Sequence, residues 1–135
     1  MPGTGHEGSI TTIHANSPKD VISRLDSMVL MSNIELPVRA IREMVASAVH
    51  VIIHTARLSD GSRKIMTVTE LVGLSRDGDI QLNDLFKFQQ TGLAPDGTVQ
   101  GQFMASGEKP SFLAELRIKG ITIDDAIFTR TGAPG

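Results

Sequence analysis

The sequence predicts an α/β fold: a short strand and two helices, then an antiparallel β-meander and a closing helix. Two observations carry this prediction. Apolar residues recur at helical spacing up to about residue 48 and alternate from residue 49 onward. Three Asp-Gly pairs, Asp60-Gly61, Asp77-Gly78 and Asp96-Gly97, then punctuate the alternating part, each between two β-prone runs. The chain therefore divides into residues 1–48 and residues 49–135, read as two parts of one domain.

Residues 10–14 read as a short strand, because Ile10 and Ile13 are apolar and Thr11 and Thr12 are β-branched. A helix starts directly after it. Ser17 can cap it, Pro18 suits its first position, and Asp20 complements its positive end. Val21, Leu25, Met28 and Val29 fall on one face of this helix, and Asn33 is a left-handed stop. Pro37 opens a second helix with Val38, Ile41, Val45 and Ala48 on one face and Arg39, Arg42 and Glu43 elsewhere. From residue 49 the period becomes two. Val49, Val51 and Ile53 point one way, and His50, Ile52 and His54 the other.

The β-prone runs are residues 49–58, 64–73, 80–88 and 98–103. Consecutive strands joined by tight turns pair antiparallel. The glycine-flanked stretch 92–101 reads as a flexible loop. Residues 110–119 read as the closing helix, with Phe112, Leu113 and Leu116 inward and Gly120 as its stop. Residues 121–128 form an apolar tail that packs back on the body, and residues 129–135 a frayed end.

Composition narrows the function. The chain has 135 residues, enough for one domain with a modest core, with 40% hydrophobic and 21% charged residues. A net charge of −2 and the absence of Trp and Tyr argue against a nucleic-acid surface. There is no cysteine, which excludes disulfides and thiolate metal sites and points to a cytosolic chain. No apolar run approaches the ~18 residues of a membrane span, and no signal-peptide pattern opens the sequence.

The densest chemistry lies near the amino end, in Gly5-His6-Glu7-Gly8-Ser9-Ile10-Thr11-Thr12-Ile13-His14-Ala15-Asn16. His14 falls at the end of the expected strand, where α/β folds bind ligands at the edge of a parallel sheet. An imidazole there donates a hydrogen bond to a phosphate oxygen and responds to small changes in field. Ser9, Thr11 and Thr12 add hydroxyl donors, and the backbone near Gly5 and Gly8 can approach an anion closely. This set suits sensing of a terminal phosphate. The rival use is a metal site on His6 and His14, but their spacing is not that of a helix-borne zinc pair, and Glu7 is the only nearby carboxylate.

Gly3-Thr4-Gly5-His6-Glu7-Gly8 matches the dinucleotide pattern G-x-G-x-x-G in the wrong setting, since no strand precedes it and no helix follows. G-x-x-x-x-G-K-[ST] occurs nowhere, and Lys19, Lys64, Lys87, Lys109 and Lys119 follow no such loop. Arg57 and Arg63 flank the Asp60-Gly61 turn and project near each other from a hairpin tip.

The segment from Thr4 through Asn16 resembles the histidine box of the secretion ATPases, the motors of type II and type IV secretion and pilus assembly. Met28-Val29-Leu30-Met31, Leu36-Pro37-Val38-Arg39-Ala40-Ile41-Arg42-Glu43, Ala46-Ser47-Ala48-Val49, Asp60-Gly61-Ser62-Arg63-Lys64 and Pro110-Ser111-Phe112-Leu113 look like the CpaF/TadA branch, which serves tight-adherence pili. The resemblance runs from Thr4 to about Phe128.

It implies the C-terminal part of a RecA-like P-loop ATPase core. The parent would be a cytoplasmic hexamer peripheral to the inner membrane. It would bind ATP and Mg2+ between subunits and work with inner-membrane secretion or pilus platform proteins. His14 would then be the catalytic phosphate sensor, His6 its supporting partner, and Gly5, Gly8, Ser9, Thr11 and Thr12 the phosphate-binding residues. The family's P-loop and acidic boxes lie upstream of such a box, so the 135-residue chain is expected to hydrolyse no ATP alone and to self-associate through uncovered apolar surface. No binding of nucleic acid is expected. Two alternatives stand beside this reading: a non-catalytic interaction module of a secretion system, and a small metalloprotein using His6 and His14.

Overall fold

The computed structural model describes residues 10–32 and 35–129. It contains helix α1 (Pro18–Met31), helix α2 (Val38–Ala48), strands β1 (Val51–Arg57), β2 (Arg63–Leu74), β3 (Ile80–Leu93) and β4 (Val99–Ala105), helix α3 (Leu113–Ile118) and a final 3-10 turn (Asp125–Phe128). The fold is α/β, and its sheet is a four-stranded antiparallel meander in the order β1-β2-β3-β4.

Local chemistry sets the helix starts. Ser17 Oγ accepts the Asp20 N–H at 3.0 Å, and the Asp20 carboxylate accepts the Asn16 N–H at 3.0 Å. This reciprocal cap fixes the direction in which the chain enters α1. Val21 is buried and Leu25 and Val29 half-buried, whereas Met28 lies off the covered stripe and is exposed. The helix ends at Met31, and the Asn33 stop lies outside the described residues. In α2, entered from Pro37, Ile41 is only 2% exposed and Val45 half-buried, while Val38 and Ala48 at its two ends are exposed.

The three Asp-Gly pairs form the three hairpin turns, with Gly61, Gly78 and Gly97 at φ 84°, 85° and 88°. This left-handed backbone is open to glycine at little cost. The stretch 92–101 is not a loop. β3 runs on to Leu93, and β4 starts at Val99 after a tight turn in which the Ala94 N–H donates to Thr98 O at 2.8 Å. The ladder pairs Gly92 with Gln100 and Leu93 with Val99 across a register shift after Gln90. A bulge with a glycine thus carries the strand past the point where its side-chain pattern fades.

Residues 10–14 form no strand. Ile10 is 99% exposed, so although Ile13 is half-buried the segment has one apolar anchor and no paired strand among the described residues. The described sheet is wholly antiparallel, and the expected position at the edge of a parallel sheet is not formed.

Thr69, Glu70 and Leu71 on β2 are all buried. Successive side chains on a strand point to opposite faces, so both faces of the sheet are covered here. The closing segment covers the Glu70 face, because the Ser111 N–H donates to both Glu70 carboxylate oxygens, at 3.0 and 3.1 Å. The Ser111 hydroxyl donates to the same carboxylate. α1 and α2 pack on the other face, against β1, β2 and β3. The closing helix α3 begins at Leu113, three residues later than the pattern predicts, with Leu113 buried and Phe112 and Leu116 half-buried. As expected, the tail packs back. Phe128 is buried, with its ring 5.7 Å from that of Phe86. Residues 130–135 of the expected frayed end lie outside the described residues.

Candidate functional site

The residues singled out in the sequence divide between described and undescribed positions. Gly5, His6, Gly8 and Ser9 lie outside the described residues, as does Glu7. Thr11, Thr12 and His14 are described, and all three are exposed in irregular chain leading to the α1 cap. His14 stands three residues ahead of Ser17, so the cap holds its backbone to a fixed helix start while its ring faces solvent. Hydroxyls and an imidazole in this setting can donate to an anion arriving from solvent. Among the described residues, no three His, Asp or Glu side chains converge as a metal-binding group.

The perturbed carboxylates lie elsewhere and serve as clips. Asp60, in the β1–β2 turn, is held down at about 2 from the ordinary 3.8, first by the Ser62 hydroxyl and then by the Val99 and Ser62 N–H groups. Its Oδ2 accepts the Val99 N–H at 2.8 Å and its Oδ1 the Ser62 N–H at 2.9 Å, so it ties two neighbouring hairpin tips together. Asp125 is lowered chiefly by its hydrogen bond from Arg117, with Lys109 Nζ at 3.5 Å on the same carboxylate. These groups are exposed and bonded within the fold.

Three further features escape the sequence pattern. Arg42 sits between elements, with Nε 3.6 Å from Asp26 of α1, and Nη1 3.2 Å from Asp79 and 3.1 Å from Gly78 O in the β2–β3 turn. Thr69, 0% exposed, donates its hydroxyl to Asp84 at 2.7 Å. Lys64, Ile65, Phe88 and Phe103 line a shallow depression of about 280 Å3 on the sheet. All three depend on residues distant in sequence, so no local spacing signals them. Arg57 and Arg63 do face each other, as a directly paired position of β1 and β2, and both are exposed.

Two comparisons place the chain among known proteins. A family model described as type II/IV secretion system protein matches residues 2–96. Two proteins from different strains of Mycobacterium tuberculosis, both named for conjugal transfer, are 34% identical to it over 68 residues. That alignment covers 50% of this chain and 19% of each relative, so the chain matches about a fifth of their length. The matched family region takes in the histidine-rich segment, α1, α2, β1, β2 and β3, and ends in the turn before β4. An α/β body with a meander beside paired helices agrees with part of that family's RecA-like ATPase domain. With the family match running through most of its length, this chain belongs to the type II/IV secretion system protein family.

Proposed function

We propose that this chain is the C-terminal part of a CpaF/TadA-type secretion ATPase and that His14, with His6, senses the terminal phosphate of ATP. The observation that carries the reading is the family match over residues 2–96, which includes the whole histidine-rich segment. The exposure of His14, Thr11 and Thr12 ahead of a capped helix supports it, since a phosphate sensor must be reachable from solvent or from a neighbouring subunit. Gly5, Gly8 and Ser9 would complete the anion contacts with backbone and hydroxyl donors.

The residues present fit only one end of a nucleotide. They offer hydrogen-bond donors for a terminal phosphate. They offer no lysine-bearing glycine loop in the sequence, and no convergent carboxylates for Mg2+ among the described residues. In this reading the parent ATPase holds ATP and Mg2+ with groups beyond this sequence, and assembles as a hexamer on inner-membrane pilus or secretion platform proteins from the cytoplasmic side. No described helix is long and apolar enough to cross a membrane. The conjugal-transfer names of the relatives favour service in a macromolecular transfer machine.

The first test is phosphate release by the 135-residue chain with Mg2+ and ATP, where no steady turnover is expected. Sustained turnover at a rate set by the chain's concentration would overturn the division of labour. The second is His14→Ala in the parent ATPase. Loss of one transition-state donor lowers kcat by roughly 10²-fold with ATP affinity little changed, and an unaltered kcat removes His14 from the mechanism. The half-bare sheet face supports a second reading, an interaction module of the same machinery. Inhibition of the parent ATPase by added chain favours it.

A further inference from the structure

We propose that the bare half of the sheet face opposite α1 and α2 is a docking surface for an acidic, apolar segment of a partner protein. The strand register builds this surface. Ile53, Thr55 and Arg57 of β1 lie opposite Val68, Ile65 and Arg63 of β2, on the face that carries Phe86, Phe88 and Phe103. The closing segment covers this face only around Glu70 and Phe86, through Ser111 and Phe128. Toward the β1–β2 and β3–β4 turns it stays open, with Phe103 47% exposed and Ile65 45% exposed. The depression lined by Lys64, Ile65, Phe88 and Phe103 lies there.

Charge names the occupant. Lys64 Nζ stands 5.8 Å from the centre of the Phe88 ring, and Arg57 and Arg63 rim the same area. None of these three cations is within ion-pair distance of a carboxylate among the described residues. An apolar floor with two exposed arginines outside any ion pair, and a lysine that feels only the charge of Asp60, is complementary to a segment that pairs apolar side chains with carboxylates. A second copy supplies this poorly. Along α1 and α2 the carboxylates are in ion pairs within the chain, Asp20 with Arg24, Glu43 with Arg39 and Asp26 with Arg42, which leaves Glu35 beside Leu36 as the one acid of that region outside an ion pair among the described residues. Residues 130–135 carry one arginine, no carboxylate and no large apolar side chain. The shallow depression between Lys64, Ile65, Phe88 and Phe103 offers a seat for one protruding apolar side chain.

The test titrates short fluorescein-labelled peptides with the full 135-residue chain, read by anisotropy. One peptide alternates Glu with Leu, a second Glu with Ser, a third Lys with Leu. The Glu–Leu peptide is expected to bind at least about tenfold tighter than either other and to weaken with salt. Lys64→Glu with Arg63→Glu is expected to weaken it about tenfold or more with the circular dichroism spectrum unchanged. If that variant unfolds, Arg57→Gln with Arg63→Gln replaces it and is expected to show a smaller loss of the same sign. Equal binding of the Glu–Ser peptide or of a single-stranded oligonucleotide overturns the proposal in favour of a plain polyanion site. Equal binding of the Lys–Leu peptide, binding of anionic vesicles in place of the peptide, or no binding at all also overturns it. So does a Lys64-dependent shift to dimers in sedimentation velocity, which would assign the surface to a second copy.

Discussion

Asp60 joins two turns that are far apart in sequence, and its ionisation governs whether they stay joined. Its carboxylate sits near 2 in the folded chain against an ordinary 3.8, because the Ser62 hydroxyl and the Ser62 and Val99 N–H groups all bond the charged form. A lowered folded value means that ionised Asp60 contributes stability above about pH 4, and that this is lost as pH falls through about 2. Thermal midpoints measured across that window should fall with acid in the wild-type chain. In Asp60→Asn they should start lower at neutral pH and change less with acid, and parallel curves would remove this residue from the acid response. Gly101 makes a steric prediction at the same scale. A Cβ there would lie 2.4 Å from Phe88 Cζ and 2.5 Å from the Gln89 carbonyl oxygen. The ring can move, but the backbone carbonyl belongs to the β3–β4 ladder. Gly101→Ala should therefore destabilise by about 1–3 kcal/mol, visible in urea unfolding, and a cost near zero would mean that the ladder yields freely.

Elements differ in how plainly the sequence announces them, and the difference follows from where their determinants lie. The α1 cap rests on Ser17, Pro18 and Asp20, all within one turn, and the hairpin turns rest on adjacent Asp-Gly pairs, so both were legible. A strand needs a partner, and residues 10–14 have the right residue types but no neighbour to pair with. The second half of β3 was hidden for the opposite reason. Gln89, Gln90, Thr91 and Gly92 look like loop, yet the ladder to β4 carries them as strand. The candidate site was legible only as a polar sequence block. The solvent exposure of Thr11, Thr12 and His14 came from the structure, and the Lys64–Phe88–Phe103 surface came only from strand register. Arg42 ties this arrangement together, since it bonds α2 to both α1 and the β2–β3 turn, which Arg39 also reaches through the Arg76 carbonyl. Arg42→Ala should cost about 1–2 kcal/mol, as hydrogen bonds from a half-buried charge do, and should speed amide exchange in α1 and in the turn. Glu70→Ala should act on the other face, raising exchange across residues 110–128 while α1 and α2 keep their protection.

Across the whole molecule, the paired helices leave an apolar surface distinct from the sheet face. Met31 is 82% exposed, and Met28, Leu30, Leu36, Val38 and Met44, on the two helices and their connection, are exposed as well. Methionine-rich surface of this kind repacks easily against another apolar surface. The ion pairs around it join residues of the same chain, Arg24 to Asp20 and Arg39 to Glu43, so it presents little net charge to repel a like surface. Self-association of the chain should therefore run through the helices, while the cationic sheet face stays available to an acidic partner. Sedimentation velocity over a range of concentrations should show a reversible shift to larger species that is insensitive to Lys64→Glu. Met28→Glu with Met31→Glu should move the species back toward monomer with little change in thermal midpoint, because both side chains already face solvent. A profile that stays monomeric at all concentrations would leave the helical surface without a role in assembly, and one abolished by Lys64→Glu would move that role to the sheet.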